Sequence, residues 1–246
     1  MTKTPLATQS ATKTVNYSRI FNLLSVGADA KTRKGESAGY LTGILYLAPA
    51  RQSGVMDVCP NASEGCRAAC LFSAGMGKFP NVKLARINRT KFFKTNRAEF
   101  LKQIRNDIAL LVAIAKSKGM VPTLRLNGTS DLPWEKFNVI QQFPDVAFYD
   151  YTKSERRMMD FLAGKMPANY HLTFSRSEEN DLKVARVSKK GGNVAAVFSG
   201  ELPARYLGRK VVNGGTNDLR FLDGRGVVVG LTAKGMAKRD KSGFVI

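Results

Sequence analysis

Short apolar runs alternate with amphipathic stretches along most of this chain, and that alternation constrains the fold more than any other feature. From Gly39 onward, runs such as GYLTGILYLA (39–48) and VPTLRL (121–126) are each followed by residues with helical spacing. Strands that alternate with helices are typical of parallel sheets with crossover helices. The pattern therefore predicts an α/β fold of repeated strand–helix units in a single, barrel-like domain.

The clearest predicted helix runs from Arg97 to Lys118. Asn96 precedes it as an N-cap, Glu99 occupies the capping-box position and Gly119 follows as a terminator. A second long helix is predicted just before it, over residues 82–93. Other predicted helices are short and cover residues 17–24, 135–143, 155–163 and a stretch ending at 189. Later strands are predicted at 146–149, 171–174, 193–198, 210–212, 219–222 and 227–231.

The domain boundaries follow from composition. Residues 1–14 are mostly Thr, Ser, Ala and Lys without hydrophobic periodicity, which is typical of a flexible tail. The polar stretch 30–38 is predicted to be a loop. A length of 246 residues suits one barrel-like domain, so residues 15–246 are assigned to a single domain.

The charge balance is strongly basic. The chain has 39 Lys and Arg against 19 Asp and Glu, which gives a net charge of +20 at pH 7. Such an excess attracts polyanions, and nucleic acid is the commonest polyanion inside a cell. A basic surface that binds nothing specific is the alternative. Aromatic residues interleave with Lys and Arg in the predicted helix at 82–93, a pattern that suits a phosphate backbone or, equally, a solvated helix.

No part of the sequence predicts a membrane span or a secretory leader. The apolar runs are shorter than the roughly 18 residues that cross a bilayer, and the first residues lack a signal-peptide core. Three cysteines, an odd number within twelve residues, do not suit a secreted disulfide framework. We therefore expect no membrane partner, a cytoplasmic location and reduced thiols.

The three cysteines form the strongest chemical signal. Cys59, Cys66 and Cys70 have the spacing C-x6-C-x3-C in the loop after the first predicted strand. Thiolates that converge from one loop suit an iron–sulfur cluster or zinc. A zinc site would need a fourth ligand such as His171, the chain's one histidine. Burial of the cysteines as small hydrophobes and a redox-active disulfide are the alternatives.

Polar residues follow each later predicted strand. Because sites in parallel α/β folds lie at the carboxyl ends of strands, these residues are candidates for catalysis or binding. Ser130, Ser154 and Ser177 are interpreted first as helix caps. Capping alone does not explain Asp150, Tyr151, Lys153 and Arg176.

The layout of the cysteine loop and of the turn after the second strand resembles that of radical S-adenosylmethionine enzymes. The resemblance implies a partial (β/α) barrel in which Cys59, Cys66 and Cys70 bind a 4Fe-4S cluster. It also implies that Asn127, Gly128, Thr129 and Ser130 lie at S-adenosylmethionine. The usual family spacing is C-x3-C-x2-C, so the spacing here is wider. We expect the remaining site residues to face the same mouth: Asp131, Asp150, Lys153, Arg176 and Asp218.

The chain also resembles phage-encoded proteins of the gene product 88 type. The stretches that carry this resemblance include GYLTGILYLAP, LRLNGTSDLPWE, FYDYTKS, YHLTFSRSEEN and DLRFLD. It covers nearly everything from about residue 15 to the end. The resemblance implies a phage origin, and hence the cytoplasm of the host cell, without supplying an activity.

The leading hypothesis is a phage-type iron–sulfur enzyme that uses S-adenosylmethionine and acts on nucleic acid. One alternative is a non-catalytic, basic nucleic-acid-binding protein whose cysteines hold zinc or only pack. Another is a metal-free nuclease built on Asp131, Asp150 and Lys153.

Overall fold

The computed structural model describes residues 21–27 and 30–246. The predicted tail, residues 1–14, lies outside the described residues, as does the first half of the helix predicted at 17–24, whereas residues 21–24 are described and are not helical. Within the described residues, nine strands form one sheet in the order β1-β2-β3-β4-β5-β6-β9-β8-β7. The strands are β1 (Leu24–Val26), β2 (Tyr40–Leu45), β3 (Val121–Arg125), β4 (Ala147–Thr152), β5 (Tyr170–Ser175), β6 (Val194–Phe198), β7 (Arg205–Tyr206), β8 (Arg209–Asn213) and β9 (Val228–Thr232).

The sheet is wound in one direction. Strands β2 to β6 are parallel neighbours in chain order, and β9 continues the parallel series beside β6. Right-handed crossovers in a sequentially ordered sheet place their helices on one face and leave the other face concave. The described sheet ends in the antiparallel pairs β1–β2 and β7–β8. The α/β single-domain prediction is confirmed as an open, mostly parallel sheet, consistent with a partial barrel.

Six α-helices lie in the described residues: α1 (Ala30–Glu36), α2 (Glu64–Ala68), α3 (Pro80–Thr95), α4 (Arg97–Ser117), α5 (Glu155–Leu162) and α6 (Asp181–Lys189). Helix α4 was predicted to within one residue. Its Asn96 cap accepts a hydrogen bond from the Glu99 N–H at 3.4 Å, and Gly119 has a φ of +64°. Its apolar stripe packs onto the sheet in one large core. The members of that stripe are Phe100, Ile104, Ile108 and Leu111.

The two faces of the sheet have different chemistry. The helix-covered face carries fully buried apolar side chains, among them Leu41, Leu124, Phe148 and Phe174. The concave face carries the alternate residues, which include polar, aromatic and aliphatic side chains. Near the amino-terminal ends of the strands, the Phe221 ring lies 5.6–5.8 Å from the rings of Tyr40, Tyr149 and His171. Phe221 therefore closes that end of the concave face and leaves the carboxyl-terminal end open.

Several sequence predictions were wrong. The predicted loop at 30–38 contains helix α1, and Leu24 begins a strand. The predicted strand at 219–222 contains a 3-10 helix, Arg220–Leu222. The predicted helix at 135–143 is a single 3-10 turn, Trp134–Phe137, which ends because Asn138 adopts a φ of +51°. Of the three serines expected to cap helices, Ser154 does so for α5, whereas Asn180 occupies the N-cap position of α6.

Within the described part of the chain, no helix is both long enough and apolar enough to cross a membrane.

Candidate active site

A cavity of about 310 Å³ lies at the carboxyl-terminal end of the concave face. It falls within the size range typical of small-molecule and cofactor sites. All three cysteines line it, together with the turn after β3 and residues from the ends of β4, β5, β6 and β9. The prediction that the cysteine loop and the strand ends share one mouth thus matches the geometry. Its apolar wall consists of Ala62, Ala69, Leu71, Val197, Leu231 and Phe244.

The cysteine segment is held by a short helix and a distant carboxylate. Ser63 caps α2 by accepting a hydrogen bond from the Cys66 N–H at 3.2 Å. Glu178, in the loop after β5, accepts one from the Ser63 hydroxyl at 2.8 Å and one from the Gly65 N–H at 2.7 Å. A side chain at Gly65 would clash with Ser242 and Glu178. Cys66 therefore sits on a helix that is fastened to the β5 end of the site.

Burial opposes ionisation of two of the three thiols, those of Cys59 and Cys70. Burial, with smaller contributions from the nearby Cys70, Cys66 and Asp131, raises the pKa of the Cys59 thiol to about 12. The Ala50 N–H donates to Cys59 Sγ at 3.4 Å and favours the thiolate. Burial also raises the pKa of Cys70, and Cys66 adds to the increase, whereas the Phe72 N–H, Lys153 and Arg86 oppose it. All three cysteines lie at the wall of the same cavity.

The zinc alternative lacks its expected fourth ligand. His171 is half-buried on β5 between the rings of Phe161 and Phe221, at 6.3 and 5.8 Å, and is not part of the cavity lining. Burial lowers its pKa. Among residues 21–27 and 30–246, no three His, Cys, Asp or Glu side chains are placed to hold a single metal ion. Thiolates on three different irons of a cluster lie further apart than the ligands of one ion, so this finding bears on zinc alone.

The predicted cofactor turn is held by its own hydrogen bonds. Asn127 Oδ1 accepts from the Ser130 hydroxyl, the Leu132 N–H and Trp134 Nε1 at 2.7–3.1 Å. The Thr129 hydroxyl donates to the Leu47 carbonyl at 2.5 Å. All four predicted residues, 127–130, line the cavity, but these side-chain groups already have partners within the protein.

Gly128 allows the turn to approach β2 closely. A Cβ there would lie 2.7 Å from Ile44 Cγ2, the Leu45 carbonyl oxygen and Tyr46 Cδ1. The glycine is thus required by packing, and it brings a backbone edge, not a side chain, to the cavity wall.

Of the five remaining predicted residues, Asp131 and Lys153 line the cavity. Asp131 accepts from Arg157 Nη1 at 2.7 Å and from the Lys153 N–H at 2.9 Å. Arg157 also forms a two-pronged pair with Glu135, at 2.9 Å for each bond. This buried arginine, which sequence reasoning missed, fixes the position of the Asp131 carboxylate.

The other three predicted residues lie outside the cavity lining. Asp150 is buried on the helix-covered face, where it accepts hydrogen bonds from Asn127 and from the Tyr170 hydroxyl. Arg176 Nη1 donates to the Gly243 and Phe244 carbonyls. Asp218 pairs with Arg125 Nη1 at 2.9 Å. Successive side chains along β4 point to opposite faces of the sheet. Because Tyr151 points to the cavity, Asp150 points to the helix-covered face.

Arg125 lies on the cavity wall and was also missed. Its guanidinium stacks 4.8 Å from the centre of the Tyr151 ring and pairs with Asp218. The sequence did contain a sign of this role, because Arg125 is a charged residue inside the apolar run VPTLRL. A charged residue that is buried in a strand needs a partner of opposite charge.

Arg86, near the cysteines, is the third missed residue. It is 8% exposed, and within the described residues its Nε and Nη1 have no hydrogen-bond partner. Its guanidinium lies 4.7 Å from the centre of the Tyr46 ring, and its charge favours the thiolate of Cys70. Arg86, Thr90 and Phe93 share the buried face of α3. In the sequence, the spacing of these three residues by four and three positions indicates that Arg86 shares the buried face of the helix.

The model of one protein family, described as gene product 88, matches residues 22–246. The chain belongs to the gene product 88 family. The match spans every strand and helix described above, so the cysteine segment and the cavity are both part of the family's domain. No curated protein and no solved structure matches the chain.

Proposed function

We propose that this gene product 88 protein is a phage-type iron–sulfur enzyme of the radical S-adenosylmethionine kind, acting on nucleic acid in the host cytoplasm. One observation carries the proposal. Three cysteines from the loop after β2 line a single cavity at the carboxyl-terminal mouth of a sequentially wound, partial barrel.

The residues around the thiols suit an anionic, thiolate-bound centre. Cys59, Cys66 and Cys70 would hold the cluster, which leaves one iron free for the cofactor. Backbone N–H groups of Ala50 and Phe72 point at two of the sulfurs, and such hydrogen bonds tune cluster potentials. Arg86 is a buried cation beside Cys70 without a hydrogen-bonded anion among the described residues. A negative centre at the cysteines would compensate that charge.

The wider cysteine spacing has a structural counterpart. The six residues between Cys59 and Cys66 include the turn before α2 and its Ser63 cap. Cys70 follows the end of α2 and begins a 3-10 helix, Leu71–Ser73. The segment thereby brings its cysteines to one cavity by a turn and two short helices.

When bound, the cluster and S-adenosylmethionine would supply one-electron radical chemistry. The protein's own residues prepare the cavity for it. The apolar wall excludes water from the reacting groups. Arg157 holds the Asp131 carboxylate at the cavity wall, and Lys153 contributes a positive charge that favours the Cys70 thiolate.

The nuclease alternative is less well supported by the geometry. Asp150 is bonded to Asn127 and Tyr170 and does not line the cavity, whereas Asp131 and Lys153 do. Asp131 is paired with Arg157. These contacts favour the iron–sulfur proposal over a site built on Asp131, Asp150 and Lys153.

The test is metal analysis of anaerobically purified protein. We expect brown protein with about four iron and four sulfide per chain, lost in Cys59→Ser, Cys66→Ser and Cys70→Ser but kept in Asn61→Ala, an exposed change in the same loop. Colourless protein, with zinc or with no metal, would overturn the proposal. If such protein still binds nucleic acid, the non-catalytic binding alternative gains support.

A further inference from the structure

Two segments meet at the mouth of the cavity. One runs from Leu71 to Lys83 and the other from Lys234 to Arg239; we call them together the rim. The Met236 N–H donates to the Ser73 hydroxyl at 3.1 Å, and a Cβ on Gly235 would touch Ser73 and Ala74. Leu71, Lys234 and Ala237 line the cavity itself. Any molecule that enters the cavity from this side must pass the rim.

The rim exposes large apolar side chains. Met76 is 61% exposed, Leu71 52%, Met236 51% and Phe79 44%. Soluble proteins rarely leave contiguous apolar surface open to water without a binding role. Four such residues on two segments that touch each other favour an interaction surface at the rim.

The charge of the rim indicates which kind of molecule binds there. Residues 65–98 contain eight Lys or Arg and no Asp or Glu. Residues 224–239 contain four Lys or Arg and, again, no Asp or Glu. The exposed cations on the rim are Lys78, Lys83, Lys234, Lys238 and Arg239. Asp240, which follows, uses its carboxylate to accept hydrogen bonds from Ser242 and the Val245 N–H. The rim thus offers positive charge with no interspersed acid, which suits a polyanion.

Basic and aromatic groups alternate on this surface. Lys78 Nζ lies 5.8 Å from the centre of the Phe79 ring, and Lys83 Nζ lies 5.7 Å from that of Phe72. Aromatic faces beside a track of cations are the usual means of binding single strands, because bases stack while phosphates contact Lys and Arg.

We propose that the rim is a docking surface for single-stranded nucleic acid and that it leads one nucleotide into the cavity. This inference rests on the proposed nucleic-acid substrate and narrows it to single strands. The reacting group must enter the cavity of about 310 Å³ that the cysteines line. A base inside a duplex is stacked and paired, and it reaches such a site only by being flipped out.

The first test compares two triple variants of the full chain. Lys78→Ala, Lys238→Ala and Arg239→Ala remove three charges from the rim. Lys165→Ala, Lys189→Ala and Lys190→Ala remove three exposed charges at or just after the carboxyl-terminal ends of α5 and α6, at the opposite end of the strands. The probe is a fluorescent single strand of about 12 nucleotides, followed by anisotropy across a salt series.

We expect the rim variant to bind about tenfold or more weakly at about 100 mM salt and its salt slope to fall by about 2. The control variant should change less than about twofold. Equal losses in the two variants would overturn the proposal, as would a duplex that binds as tightly as the single strand. Selective binding of an acidic polypeptide instead of the oligonucleotide would assign the rim to a protein partner and also overturn it.

The second test separates stacking from charge. Phe79→Ala should weaken single-strand binding about fivefold or more, whereas Leu222→Ala, also an exposed apolar residue, should leave it unchanged. Unchanged binding in Phe79→Ala would contradict a stacking role.

Iron analysis of the same samples separates the two proposals. An iron-loaded protein that does not bind strands through the rim overturns the docking proposal alone. A metal-free protein that does bind through the rim overturns the iron–sulfur proposal alone.

Discussion

Glu178 accepts a 2.7 Å hydrogen bond from the backbone N–H of Gly65, a residue 113 positions earlier in the chain. The same carboxylate accepts a hydrogen bond from Ser63, the cap of the helix that carries Cys66. The loop after β5 therefore holds the cysteine segment against the mouth of the barrel. Without this contact, a five-residue helix has little intrinsic stability.

Glu178→Ala should loosen the cysteine segment. We expect the free energy of unfolding to fall by about 1–2 kcal/mol, because two donors at the helix start lose their acceptor. Amide hydrogen exchange at residues 63–70 should rise more than elsewhere. Glu179→Ala, an exposed change next to it, is the control. Unchanged exchange in that segment would show that Glu178 does not hold it.

Arg86→Met should make Cys70 less reactive in metal-free protein. The arginine charge favours the Cys70 thiolate, so its removal raises the thiol pKa further. We expect alkylation of Cys70 between about pH 7 and 9 to slow about threefold or more, as measured by mass spectrometry of the cysteine peptides. Arg89→Met, on the same helix, serves as the matched control. Equal slowing in both variants would rule out a specific effect of Arg86.

Asp150 should make stability depend on pH. Burial raises its pKa to about 7 from a usual value of 3.8, against the opposing effects of Arg125, its hydrogen bonds and Arg157. Between these values the folded state holds a proton that the unfolded state has lost. The stability that this proton contributes is therefore full below about pH 4 and is lost as the pH rises through about 7.

Urea unfolding at a series of pH values tests this with Asp150→Asn. The stability of the wild type relative to the variant should fall by up to about 1.4 kcal/mol per pH unit within that window. The exposed change Asp145→Asn is the control and should track the wild type. Parallel curves for wild type and Asp150→Asn would contradict the raised pKa.

Gly128→Ala should destabilise the turn after β3. The new Cβ would lie 2.7 Å from three atoms of residues 44–46, and one of them is a backbone oxygen that cannot move freely. We expect a loss of about 1–3 kcal/mol. Gly200→Ala is the control, since an added Cβ there has no described atom within 4 Å. Equal shifts of the denaturation midpoint in the two variants would show that close packing against residues 44–46 does not require a glycine at position 128.

Elements with strong periodicity were predictable from the sequence. Helix α4, with its cap, stripe and terminating glycine, was placed to within one residue, and strands β2 to β6 were recognised from their apolar runs. The convergence of the cysteine loop with the strand ends followed from the rule that parallel strands present their carboxyl ends at one edge.

Elements that depend on distant contacts were not predictable. Helix α1 has no apolar stripe of its own, and Gly35 lies close to Thr42 and Leu219. The segment 219–222 reads as a strand, yet it forms a 3-10 helix because Phe221 fills the space between Tyr40, Tyr149 and His171. A local pattern does not contain the shape of that space.

The sequence by itself determined the parallel α/β class, the basic charge and the grouping of Cys59, Cys66 and Cys70, because periodicity, composition and spacing are local properties. Only the tertiary structure decided which polar residues face the cavity. Asp131 and Lys153 line it while Asp150 lies behind the sheet, and Arg86 emerged as a buried cation beside Cys70. The physical reason is that strand register and helix rotation, which are set by packing across the whole core, determine where each of these side chains points.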